Sequence, residues 1–269
     1  MSATHRGAGL GLVAGIEGVG FWAEGLPTWE AARDFAATGA LTEGAPTRPS
    51  PQLLPANERR RAPDTVAVAL EVAMSACEAA AVDPASLPSV FTCTHGDFGI
   101  TDYICSTLAT DPRSLSPTRF HNSVHNAAAG YWTIGAGCHA AATAVSAHEA
   151  SFAQGLLEAM SQLAAGAERV LLVAYDGPAV GPVGLVSPSE GLVGAALVLA
   201  REPRAGMPRL RATLVDAVAT AEGGPLTQRL GANAMAPMMP LFEAVVAGSD
   251  LVSLHAGPGQ ALRVEIAHG

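Results

Sequence analysis

Apolar residues fall into short unbroken runs that alternate with stretches spaced at helical intervals. Residues 10–23 (LGLVAGIEGVGFWA) read as a glycine-punctuated buried strand ending in a turn. Thr28 then offers a cap for a helix carrying Trp29, Ala32 and Phe35 on one face. Residues 40–57 are rich in proline and read as an irregular loop. Residues 63–81 predict a long helix capped by Asp64, with Val66, Leu70, Ala73, Met74 and Cys77 forming its apolar face. Buried strands are expected at 89–93, 141–147, 170–174 and 191–200, the third of them central. Residues 209–219 alternate well enough to pair beside the 191–200 strand.

Helices are expected at 101–109 and, as a helix or turn, at 128–134. The strongest helical spacing lies over 149–165, with Phe152, Leu156, Leu157, Met160 and Leu163 on one side and Gly166 as the stop. Residues 236–247 are helical after a proline. Residues 251–255 and 261–266 suggest a hairpin around Gly257-Pro258-Gly259. Strands alternating with helices predict a layered α/β domain.

Composition narrows the picture. The 269 residues are 49% hydrophobic and 14% charged, enough to bury a sizeable core, and aromatics contribute only 5%. A net charge of -9 argues against nucleic acid, which requires clustered cations. All 15 cations are arginine, so lysine chemistry is excluded, and the one basic run, Arg59-Arg60-Arg61, reads as a solvated helix start. Four cysteines (Cys77, Cys93, Cys105, Cys138) lack CxxC spacing, and the first ten residues lack a charged-then-apolar layout. Reduced thiols in a cytoplasmic protein are therefore expected. No apolar run approaches the roughly 18 residues of a membrane helix. The mean hydropathy of +0.28 reflects alanine-rich helices.

Several residues could carry chemistry. His121 and His125 are four apart, with His139 and His148 near in sequence, and on a helix the first pair would share a face as metal ligands do. The glutamate such a motif needs beside its first histidine is absent, and Asn122 and Asn126 favour a hydrogen-bonded loop; no metal is expected. Ser146, His148 and Glu149 are hydrolase residue types, but sequence neighbours project in different directions, and no Gly-x-Ser-x-Gly elbow occurs. Cys138 and Cys93 read as buried structural thiols, and Asp97 and Asp102 as solvated loop or cap residues.

Three segments carry a family likeness. They are VAGIEGVGFW followed by LPTWEAARDF, then SPTRFHNSVHNAAAGYWTIGAG, then AVSAHEASFAQGLLEAMSQLAAGAERVLLVAYDG. Over residues 10–202 the chain resembles the β-ketoacyl synthase family, and more closely its short ketosynthase-like branch linked with aryl polyene pathways. The resemblance implies a thiolase-like α/β/α fold in one domain over 1–269, with a ketosynthase-like core at 10–202 and a shortened carboxy-terminal part at 203–269. In the family, the nucleophilic cysteine stands a fixed distance after an Ala-Ala-Gly and before the glycine closing the buried helix. Counting forward from Ala128-Ala129-Gly130 and back from Gly166 lands on Glu149 both times.

Condensation needs a thiolate at a helix amino terminus, where the helix dipole lowers its pKa and an oxyanion hole lines up. Glutamate suits the positive helix end but forms no thioester. Of the family's two later histidines, only His255 and His268 are candidates, in unlike surroundings. The resemblance therefore implies a chain length factor, the inactive partner of a ketosynthase. It implies a heterodimer with an active ketosynthase, indirect contact with an acyl carrier protein, no cofactor, and a 141–147 strand aligned against the partner. His121, Asn122, His125, Asn126, Tyr131, Trp132, His148 and Glu149 are then expected at the subunit interface or acyl channel. Glu149 either caps its helix only, or fills the place of the acyl-cysteine. The alternatives are an acyltransferase or thioesterase using Cys138 or a His–Glu pair, and an orphan homodimeric scaffold.

Overall fold

A computed structural model describes residues 11–219 and 223–269 of the chain. The amino-terminal ten residues, read above for a leader, lie outside that range. The elements begin with β1 (Leu12–Ala23), α1 (Trp29–Thr38), α2 (Ala56–Arg59), α3 (Asp64–Ala80) and β2 (Ser89–Thr92). They continue with α4 (Phe98–Thr110), α5 (Pro117–His121), α6 (Ala127–Gly135), β3 (Ala142–Val145), α7 (Ser151–Ala164) and β4 (Arg169–Asp176). The remainder are α8 (Gly181–Gly184), β5 (Val193–Ala200), β6 (Arg209–Val215), α9 (Pro225–Leu230), α10 (Met239–Ala247), β7 (Leu251–Gly257) and β8 (Gln260–Ala267).

One eight-stranded sheet runs in the order β3-β2-β4-β5-β1-β6-β8-β7. β3, β2 and β4 are parallel, and every pairing from β4 onward is antiparallel. α3 packs on β1, β5 and β4, while α7 packs on β4, β1 and β2 and also reaches β7. Helices therefore cover the sheet's centre, and α7 is enclosed by strands on more than one side. Its spacing explains this: Phe152, Leu156, Met160 and Leu163 are buried, with Leu157 partly so. The glycines of β1 have a purpose as well. A Cβ on Gly18 or Gly20 would overlap the carbonyl oxygens of Ala76 and Val72, so only a bare backbone lets α3 sit this close.

Most expected elements are present, and the differences have physical reasons. Asp64 does not cap α3; Pro63 occupies the cap position without a side-chain bond, and Asp64 pairs with Arg48 instead. The expected 101–109 helix starts earlier, at Phe98, because the Asp97 carboxylate accepts from the Ile100 N–H at 2.9 Å. β6 does not lie beside β5: β1 stands between them and pairs with both, through Leu12–Gly15 on one side and Gly15–Ala23 on the other. The 141–147 strand is not buried; β3 stands at one edge of the sheet, half exposed, pairing with β2 alone among the described strands. The terminal hairpin forms as expected, with Gly257 facing Gln260.

Candidate functional site

The parallel strands β2, β3 and β4 all end at one side of the sheet, the place where open α/β sheets gather their ligand sites. There a cavity of about 500 Å³ is lined by Thr94, His95, His148, Glu149, Ser187 and Asn233, among others. β3 reaches it through Ser146 and Ala147, and a single 3-10 turn, His148–Ala150, leads into α7. His148 holds a left-handed φ of 53°, uncommon for a residue with a Cβ. The tight strand-to-helix turn thus places His148 at its apex and Glu149 next, at the amino end of α7. The Ser151 hydroxyl closes the turn, donating to the His148 carbonyl at 2.6 Å and accepting from the Ala147 N–H at 3.0 Å.

The opposite wall follows β2. Thr94 and His95 donate their backbone N–H groups to the Asp176 carboxylate at 2.8 and 3.3 Å. Burial pushes the Asp176 carboxyl up to about 6, against the lowering effect of those hydrogen bonds. His95 stacks on Phe98 with ring centroids 4.3 Å apart, and its Nε2 lies 2.6 Å from the Ser187 Oγ. Burial, helped by the neighbouring His148, holds the His95 imidazole below its ordinary pKa, in the neutral form. The buried Asn233 amide ties this rim together by donating to the carbonyls of Glu190 and Gly191 at 3.0 and 3.2 Å.

Cys93 follows β2, one residue before the cavity wall, and faces inward. Its Sγ is 3.1 Å from His125 Nε2 and accepts from the Gly96 N–H at 3.3 Å. Burial pushes this thiol up to about 12, so it stays protonated at neutral pH despite the histidine. Cys138 follows α6, at the other end of β3, and donates to the Leu87 carbonyl at 3.3 Å. Neither sulfur lines the cavity.

The eight residues singled out from the sequence divide among three places. His148 and Glu149 line the sheet-end cavity. His121, Asn126 and Tyr131 line a second cavity of about 410 Å³, together with Arg61 and Ile134. Asn122 is buried and accepts from the Tyr131 hydroxyl at 3.1 Å, fixing that ring against His121. His125 turns inward to Cys93. Trp132 lines neither cavity; it is fully buried beside Phe91. His121 closes α5 and His125 lies in the turn beyond, so the two do not share one helix. His95, Asp176, Ser187 and Asn233 were missed by the sequence reading. The only signal was positional, since His95 stands in a glycine-bearing turn just after a buried strand.

The β-ketoacyl synthase N-terminal domain model matches residues 29–255. No curated protein matches the sequence at a significant level. Among solved structures, a chain of the complex of a ketosynthase (ApeO) with its chain length factor (ApeC) from Xenorhabdus doucetiae is similar, at 25% identity and a TM-score of 0.74. It covers 94% of this chain and 99% of that one. The ishigamide ketosynthase/chain length factor matches at 15% identity and a TM-score of 0.74, over 95% and 99% of the two chains. A type II polyketide ketosynthase complex with its acyl carrier protein (AntDE:AntF) matches at 12% identity and a TM-score of 0.72, over 96% and 100%. The layered sheet with its enclosed α7 is the thiolase-like fold of these ketosynthase structures, and the chain belongs to the β-ketoacyl synthase N-terminal domain family.

Proposed function

We propose that this chain is a non-condensing, chain length factor-like subunit that pairs with an active ketosynthase in polyene or fatty-acid-like chain elongation in the cytoplasm. One observation carries the reading: the turn into α7 presents His148 and Glu149 to the cavity, and no cysteine lines it. Condensation by this family needs a thiolate at that helix end to hold the acyl chain as a thioester. A carboxylate suits the helix dipole but forms no such bond. Glu149 then occupies the position of the acylated sulfur. The residues His121, Asn122, His125, Asn126, Tyr131 and Trp132, in α5, α6 and the turn between them, shape or support the surface that meets the partner or its acyl channel.

Pairing is supported by β3, an outermost strand whose far edge pairs with no other described strand and invites one. An acyl carrier protein would deliver its cargo to the partner's cysteine, so its contact with this chain is indirect. One domain over 1–269 is supported by β6, β8 and β7, which extend the same sheet, the last of them reaching α7. No helix among the described residues is long and apolar enough to cross a membrane. An acyltransferase built on Cys138 finds no support, since its sulfur points to the Leu87 carbonyl at the far end of β3. Co-expression with a ketosynthase encoded beside it, followed by native mass measurement, tests the reading. A one-to-one heterodimer is expected; a homodimer that ignores the ketosynthase would refute it.

A further inference from the structure

The sheet-end cavity holds a pair of groups that a silent subunit does not need. Ser187 Oγ and His95 Nε2 are 2.6 Å apart, within the reach that lets an imidazole take a hydroxyl proton. Both line the cavity of about 500 Å³. The histidine is held from three directions: Asp176 accepts its backbone N–H, Phe98 stacks on its ring, and Ser187 meets Nε2. The serine sits in a turn closed by its own N–H, which donates to the Val183 carbonyl at 3.0 Å. Two residues further on, the Ser189 hydroxyl donates to the Gly177 carbonyl at 2.8 Å and pins the loop to the end of β4. Immediately before Ser187 stand Leu185 and Val186, 86% and 81% exposed, an apolar step beside the hydroxyl.

We propose that Ser187 and His95 form a nucleophile–base dyad that cleaves acyl thioesters. Ser187 Oγ attacks the thioester carbonyl carbon while His95 Nε2 takes its proton. The carbon–sulfur bond breaks, and the sulfur leaves as a thiol carrying that proton. Water then gives a proton to His95 as its oxygen attacks the seryl ester. The ester carbon–oxygen bond breaks, Ser187 recovers its proton from His95, and a carboxylic acid departs. Leu185 and Val186 offer the first apolar contact for the acyl chain, while His148 and Glu149 face the carbonyl end from the opposite wall. With Nε2 accepting, the ring proton is on Nδ1, which is buried and has no hydrogen-bond partner among the described residues. No carboxylate backs the base, so turnover is slow beside that of a full triad. Slow cleavage suits the release of stalled chains, because it would not compete with elongation.

The test labels the purified full chain with a fluorophosphonate, which marks activated serines, and maps the adduct by peptide mass. Hydrolysis of a butyryl-N-acetylcysteamine thioester is followed in parallel. One adduct is expected, on Ser187. Labelling and hydrolysis should fall about a hundredfold in both Ser187→Ala and His95→Gln, and hold in Ser161→Ala, whose hydroxyl bonds only within α7, with circular dichroism confirming that each variant folds. An adduct elsewhere, or equal labelling in Ser187→Ala, overturns the dyad. Co-purification with the ketosynthase is scored on the same samples: Ser187→Ala should keep its partner while losing its label, so pairing and cleavage fail or survive independently.

Discussion

Glu17 and Asp176 are both buried carboxylates, 3% and 0% exposed, but their neighbours differ in kind. Glu17, in β1, faces Arg169 at 2.7 Å and Arg204 at 3.5 Å. Burial alone would raise its pKa, but the Arg169 guanidinium, the Arg204 backbone N–H and the charges of both arginines together outweigh burial and hold it below the ordinary carboxylate range. Asp176, at the end of β4, meets no cation; its partners are the N–H groups of Thr94 and His95 and the Thr94 hydroxyl, and burial prevails. Glu17 belongs to the closely packed seam where α3 rests on the glycines of β1. Asp176 stands behind the cavity wall, holding the backbone of Thr94 and His95; the cavity itself carries a left-handed His148 and an imidazole nitrogen with no partner among the described residues. One region pairs its buried charge and serves the frame. The other leaves polar groups strained or unpaired, as sites that handle ligands do.

The comparison can be broken most severely at the seam. Gly20→Val would drive a branched side chain into the Val72 carbonyl and force α3 off β1; a loss of about 3 kcal/mol or more is expected in urea denaturation, or no soluble protein at all. Arg169→Ala should cost about 3 kcal/mol by the same measurement, because it leaves the buried Glu17 charge to Arg204 alone.

The third prediction uses pH. Asp176 titrates near 6 in the folded chain against 3.8 for the free side chain, so the folded state binds its proton more tightly. Its contribution is present below about pH 4 and is lost as pH rises through 6, a change on the order of 2–3 kcal/mol. Glu17 works in the opposite sense: its stabilisation is present above its free value of 4.5 and fades as pH falls through its lowered folded value. Asp176→Asn should therefore flatten the stability profile between pH 4 and 6 and leave the acid limb intact. The smallest effect belongs to the far end of β3. Cys138→Ala should cost no more than about 1–2 kcal/mol and change neither pairing nor any acyl transfer.

What the sequence could convey tracks how local each feature is. α7 was legible because Phe152, Leu156, Met160 and Leu163 repeat at helical spacing, and β4 because five apolar residues follow one another. The partner of β6 was not, since pairing β1 with both β5 and β6 joins segments nearly 200 residues apart. Caps were half legible: Thr28 caps α1 through the Ala31 N–H at 3.2 Å, while Asp64 was drawn away by Arg48 and Asp97 took the role for α4. The place of Glu149 at the amino end of α7 could be reached by counting because its anchors lie in the same segment. The His95–Ser187 contact spans 92 residues and two loops without a spacing rule, so only the fold brings it together.

The central claim is that the tip of α7 carries no acyl-accepting sulfur, and peptide mass mapping tests it most directly. The co-purified pair is treated with an acyl-thioester donor and every cysteine is read out. The account predicts a thioester on the partner ketosynthase's nucleophile and none on Cys77, Cys93, Cys105 or Cys138. A stable acyl adduct on any of these four, Cys93 above all, would contradict it.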